Sequence, residues 1–164
     1  MATPREDLAG LFDYAWQRFS DRMAGVSPEE WVWAPLADTR VCLRWRFGHL
    51  AHLLADGRNS AWLGLGPRPE VPAHGEEPAT VHGDLPAALE DLQVSFRRWR
   101  DLLDQTTDAS LAEPIGAVGG PYGQASRYSY ALHVLDELIH HTAEAALLRD
   151  LYAGSRGARA ATTS

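Results

Sequence analysis

The sequence has no lysine, a single cysteine and no long apolar run. The lone Cys42 excludes an internal disulfide and a cysteine-built zinc knuckle, and such sparing use of cysteine suits the cytoplasm. Cys42 has no activating signature near it, so it reads as a buried bystander rather than a nucleophile. No stretch approaches the roughly 18 consecutive apolar residues of a membrane-spanning helix. The opening M-A-T-P-R-E-D-L lacks the apolar core of a secretory signal. All fifteen basic residues are arginine, against 22 Asp and Glu, for a net charge of −7. An acidic chain with scattered arginines does not offer the basic surface from which nucleic-acid affinity comes, so no nucleic-acid partner is expected. We read the missing lysine and abundant alanine as marks of a GC-rich genome, not of function. The rest is ordinary: 164 residues, 45% hydrophobic and 23% charged, enough for one soluble domain with a real core.

Helical periodicity dominates the chain. Pro4 to Gly25 predicts a first helix, with Pro4, Glu6 and Asp7 at its start and Leu8, Leu11, Phe12, Ala15, Phe19 and Met23 on its core face. Ser27-Pro28-Glu29-Glu30 has the spacing of a capping box and starts a short turn, after which Trp31 and Trp33 anchor the connection. Val41 to Leu63 predicts a second long helix, weakened by Gly48 and Gly57. Residues 64–83 are rich in Pro and Gly and form a long connection carrying His74 and His82, both read as loop histidines. Asp84 to Thr107 is the third helix, with Leu89, Leu92, Phe96, Trp99 and Leu103 as its apolar stripe. Leu111 to Gln124 reads as a flexible glycine-rich loop. Four long helical patterns predict an all-α four-helix bundle over residues 1–153, followed by a flexible tail over 154–164; spacing leaves the up-down-up-down and crossed connections both open.

The last helix carries the chemistry. Tyr130 to Tyr152 spans 23 residues, about six turns, without Pro or Gly. His133, Glu137 and His141 recur at i, i+4 and i+8 and so share one face. Leu132, Leu135, Ile139, Leu147, Leu148 and Leu151 keep much of the helix apolar, which predicts a central helix. Imidazole and carboxylate groups on a buried helix are costly to leave unpaired, and a divalent metal would satisfy them. Bundle metal sites draw inward side chains from facing helices, and a catalytic zinc keeps three protein ligands and one open position. Glu137 and His141 with His49 of the second helix would make such a set. His52, three residues on, could point to the same region, and His133 and His140 compete on the last helix.

W-R-F-G-H-L-A in the second helix, G-G-P-Y-G before the last, and D-E-L-I-H-H-T-A-E-A-A-L-L-R-D-L-Y at the end resemble the DinB-like (YfiT-like) superfamily of metal-binding four-helix bundles. The resemblance covers nearly the whole chain. In that superfamily the last helix usually carries His-x-x-x-His, the second His followed by an R-G-Q-like triplet. Here Glu137 takes the first position and Thr142-Ala143-Glu144 replaces the triplet. The His-Glu-His pattern is similar to that of the mycothiol-dependent maleylpyruvate isomerases in the same superfamily.

The resemblance implies a divalent metal held by His49, Glu137 and His141, zinc first and nickel or iron as alternatives. It further implies a low-molecular-weight, mycothiol-like thiol as co-substrate, a small electrophile as substrate, and a homodimer built on helix faces to which Trp16, Trp31 and Trp33 could belong. Glu144 and Arg149 are the expected catalytic or co-substrate-positioning residues. The chain ends soon after the bundle, without the further domain associated with the isomerases, so a different thiol transfer is expected. A metal-dependent hydrolase using Glu144 as base, or a non-catalytic metal-binding dimer, are the alternatives.

Overall fold

The computed structural model describes residues 1–66 and 82–162. His74 and most of the long connection lie outside them. Among the described residues there are helices and no β-strand, so the all-α class holds.

Helix starts follow the local caps. Helix α1 (Pro4–Met23) opens on a capping box in which Glu6 N donates to Thr3 Oγ1 (3.3 Å) and Thr3 N donates to the Glu6 carboxylate (2.8 Å). Short α2 (Pro28–Trp31) is capped by Ser27, which accepts from Glu30 N at 3.2 Å. The Glu30 side chain turns inward instead of back to the cap and is 6% exposed.

The predicted second helix, Val41–Leu63, is two helices: α3 (Leu43–Ala55) and α4 (Arg58–Trp62). The chain leaves helical geometry at Asp56 (φ −54°, ψ 131°). Asn59, fully buried, makes the break tolerable. Its side-chain amide donates to the carbonyls of Leu53 (3.0 Å) and Leu54 (3.1 Å), two of the orphan acceptors at the end of α3. Asp56 Oδ1 accepts from Arg58 N (2.8 Å) and restarts the helix.

Helix α5 (Leu85–Asp104) is capped by Asp84 and buries Leu92, Phe96, Trp99 and Leu103 as expected, with Leu89 at the margin. Residues 111–124 are more structured than their glycines suggested. They contain the end of α6 (Asp108–Ala112) and a 3₁₀ turn, Ala117–Tyr122. Backbone bonds Ile115 N to Ala125 O and Gly116 N to Gly123 O, both 2.9 Å, staple the loop shut. Gly123 is required there, because a Cβ would sit 2.5 Å from the Gly116 carbonyl. The last helix, α7, runs from Arg127 to Thr162, beyond the expected end at Tyr152. Gly154 and Gly157 lower helix propensity, but neither adopts the positive φ that would end the helix.

Side-chain pairs set the helix directions. Tyr128 bonds to Pro4 and Arg22 to Asp150, so α7 runs parallel to α1. Arg5 meets Asp104 and Arg100 meets Asp13, so α5 is antiparallel to α1. Arg46 meets Glu144 and His49 meets Glu137, so α3 is antiparallel to α7. Helix α3 packs on both α5 and α7. It therefore lies parallel to α5, which is the crossed arrangement. Parallel neighbours cannot be joined by a tight turn, consistent with the long sequence between α4 and α5.

The core is aromatic along α1: Phe12 against Trp99, Trp16 stacked on Phe96 at 4.3 Å, and Phe19 against Phe47. Trp31 is core, 2% exposed and edge-on to Phe47, and so is not available to a dimer surface. Cys42 is buried, with Sγ 3.1 Å from the Thr39 carbonyl. No helix among the described residues is long and apolar enough to cross a membrane.

Candidate metal centre

Antiparallel packing of α3 on α7 brings His49 opposite Glu137 and His141. One ligand atom from each falls within 4.8 Å of the others. Glu137 Oε2 is 3.5 Å from His49 Nε2 and 3.3 Å from His141 Nε2. Ligands held 2.0–2.1 Å from a tetrahedral ion are separated by about 3.3–3.4 Å, so the spacings of Glu137 to the two imidazoles are close to those of ligands sharing one ion. His49 Nε2 is buried and has no hydrogen-bond partner. A polar atom left unsatisfied beside a carboxylate and a second imidazole calls for a ligand, and a divalent cation is one that all three groups would share. The donor set fits a divalent metal.

The surroundings prepare these ligands. Burial first, and then the neighbouring His141, push the His49 pKa below its ordinary 6.5, against the opposing pull of Glu137. The imidazole is thereby kept neutral, the form that binds a metal. Trp45, one turn before His49, stacks on its ring (4.7 Å, 8° between planes) and meets His141 edge-on. His141 Nδ1 lies 2.6 Å from Glu144 Oε2. A carboxylate can only accept, and at 2.6 Å it prevails over the Arg46 Nη1 donor 3.4 Å from the same nitrogen, so Nδ1 carries the proton and the Nε2 lone pair is left facing Glu137. Arg46 Nε lies 3.1 Å from the same Glu144 oxygen, and His140 Nε2 lies 3.2 Å from the other. Burial pushes the Glu144 pKa up, but the bond to His141 and the charge of Arg46 outweigh it, and the carboxyl stays below its usual 4.5. His141 is thus held by a carboxylate on its far side, the arrangement that fixes tautomer and ring angle in metal-binding histidines.

Residues 11–145 match the family model for the DinB superfamily. The chain belongs to the DinB superfamily. No curated protein and no solved structure matches it. The span that matches the DinB model includes all three donors as well as Trp45, Arg46 and Glu144, so the pocket of ligands lies in the part of the chain that defines its membership.

The other candidates separate. His52, one turn along α3 and half-buried, is outside the three-ligand group. His133 is exposed and lines a cavity further down α7. His82 pairs with Asp91 on α5 at 2.9 Å. Arg149, expected to position a co-substrate, lies in the joint between α1 and α2. Its guanidinium bonds Glu30 (2.7 Å) and the carbonyls of Arg22 and Ala24, capping the end of α1. Arg46 was missed in the sequence, where it is one of fifteen arginines. The stack of Trp45 on His49 was missed too, although their i, i+4 spacing already made them neighbours on one helix face. If Glu144 orients His141, Glu144→Gln is expected to weaken metal binding about 10–100-fold while leaving the fold intact, as read by competition with a chromophoric chelator. Unchanged affinity would show that the contact is incidental.

Proposed function

We propose that the protein is a divalent-metal-dependent transferase that joins a low-molecular-weight thiol to a small electrophile, with the ion held by His49, Glu137 and His141. The observation that carries this reading is the buried, unpartnered His49 Nε2 facing a carboxylate and a second imidazole. Three protein ligands leave room for an exogenous one. A bound divalent ion supplies a lowered pKa to a coordinated thiol, and the thiolate is the nucleophilic form. The residues of the chain prepare that step. Glu144 holds His141 in the Nδ1–H tautomer, Trp45 walls one side against water, and Arg46, paired with Glu144, keeps that carboxylate in place beside His141. With both its oxygens already engaged, Glu144 acts here as a positioning residue rather than a free base. Zinc is our first choice and nickel or iron remain compatible, because mixed imidazole and carboxylate ligands suit several first-row metals. The similarity of the His-Glu-His pattern to the mycothiol-dependent branch suggests mycothiol or a related thiol.

We also propose a homodimer. Leu132, Ile139 and Leu147, 41–57% exposed, fall within about 80° of one another on α7. Such a stripe is suited to burial against a second copy. Sedimentation velocity of wild type and Ile139→Glu tests it. A wild-type monomer overturns it.

The activity is tested by incubating metal-loaded and metal-stripped protein with a mycothiol-type thiol and monochlorobimane. Conjugation that requires both thiol and metal, and is lost in Glu137→Ala, is the expected result. Ester hydrolysis without thiol would instead establish the hydrolase, and no chemistry beside a metal-dependent dimer would establish a non-catalytic role.

A further inference from the structure

Two turns from His141 along α7, a cavity of about 360 Å³ opens between α4, the 3₁₀ turn and the first turns of α7. It belongs to no residue of the metal centre. We infer that it is the binding site for a flat, conjugated monocarboxylate, the acceptor substrate of the transferase proposed above. The inference rests on that reading for the ligand's role but not for its binding.

The walls argue for a flat body. Trp62 packs on Tyr130 (ring centroids 4.8 Å apart) and lies 6.1 Å from Tyr122, so three aromatic rings border the space. Aromatic rings take a planar unsaturated ligand by offset or edge contact. The volume is at the small end of the roughly 300–1,000 Å³ usual for ligand sites, enough for a one- or two-ring molecule.

One cation in the wall argues for a single negative charge. Arg58 lines the cavity with its guanidinium over the Trp62 ring at 5.4 Å. Its Nε is 3.3 Å from Asp56 Oδ2 but makes no aligned hydrogen bond. A guanidinium carries five N–H donors; beyond the contact of Nε with Asp56 and the bond to the Tyr130 hydroxyl on the same wall, the remaining donors of the terminal fork are left for a carboxylate. Because Asp56 already offsets part of the charge, a monoanion is accommodated better than a doubly charged phosphate.

Position supplies the direction. Tyr130, Ser129 and His133 border the cavity from α7, and Glu137 is the next residue up the His133 face, about 6 Å along the axis. A ligand anchored at Arg58 thus extends its far end toward the metal ligands, with His133 between the two.

Binding can be read without turnover. Calorimetry with trans-cinnamate and with its neutral isostere cinnamamide, on both metal-stripped and metal-loaded protein, measures the site itself. Cinnamate is expected to bind the stripped protein and to outbind the amide about ten-fold or more. Arg58→Gln is expected to erase that preference, and Ser129→Trp, a substitution at an exposed position in the mouth, to weaken both ligands. Equal affinity for acid and amide, indifference to Ser129→Trp, or no binding to either form of the protein would overturn the inference. Cinnamate binding only to loaded protein, unaffected by Arg58→Gln, would overturn it too by placing the carboxylate on the metal. Metal content, measured separately on the same samples, keeps a failure of the metal centre distinct from a failure of this cavity.

Discussion

Replacing His141 by alanine is expected to abolish metal binding. Elemental analysis of untagged wild-type protein should find about one divalent ion per chain, and His141→Ala and Glu137→Ala should find none. The effect is large for two reasons. A three-ligand site reduced to two loses both a bond and the geometry that selects the ion. His141 is also the member that Glu144 and Arg46 hold in place, so its removal takes from Glu144 one of its three partners among the described residues, the others being Arg46 and His140. Stability gives a second readout. A ligand at 100 times its Kd stabilises the folded state by about 2.7 kcal/mol, which for a domain of this size raises Tm by roughly 5–10 °C. Added Zn²⁺ should produce that shift in the wild type and none in either variant. His52→Ala should behave as the wild type, since His52 stands outside the ligand group. A wild type that neither carries metal nor takes up Zn²⁺ or Ni²⁺ would sink the transferase and hydrolase readings together, and the three residues would be a polar seam in the bundle.

Asn59→Leu is expected to be the most damaging single substitution away from the metal. Its amide satisfies two carbonyls at the end of α3 and its oxygen accepts from Tyr130 Oη at 2.5 Å, all in the interior. Leucine fills the space but strands three polar groups, each costing about 1–3 kcal/mol when buried without a partner. A loss of about 3–5 kcal/mol in urea unfolding should follow. A loss under about 1 kcal/mol would mean that water replaces the amide and that Asn59 does not hold the α3–α4 break. Tyr130 adds a pH dependence. Burial, only partly countered by the charge of Arg58, pushes its pKa up to about 12 from 10.0. The folded-state pKa is the higher one, so the contribution to stability is complete below pH 10 and is lost as pH rises from 10 to 12. A shift of about 2 units amounts to roughly 2–3 kcal/mol. Tyr130→Phe should remove that slope while costing less than Asn59→Leu at neutral pH, because it strands only one acceptor.

Both predictions turn on features of different legibility. Glu137 and His141 could be paired from their spacing, since four residues is one helical turn whatever the helix packs against. His49 could not be chosen over His52 in this way. Both sit on α3, and only the rotation of that helix against α7 decides which ring meets Glu137. Four of the six apolar residues that made the last helix look central are 41–57% exposed: Leu132, Ile139, Leu147 and Leu151. Leucine content signals a face to be buried without saying whether this chain or another covers it. The break at Asp56 was hidden for a similar reason. Gly57 weakened the pattern, but the cap that makes the break stable is the side chain of Asn59 reaching back to Leu53 and Leu54.

By itself the sequence determined the all-α class, the starts of α1, α2 and α5, and the Glu137–His141 pair. All of these follow from backbone and side-chain contacts within about one helical turn, where local chemistry is decisive. Only the tertiary structure decided the crossed order of the helices, the packing that brings His49 beside Glu137 and His141, the clasp of Arg46 and Glu144 around His141, and the bonds of Arg149 to Glu30. Those depend on helix rotation and on contacts such as Arg46 with His141, 95 residues apart, and no local periodicity encodes a contact at that separation.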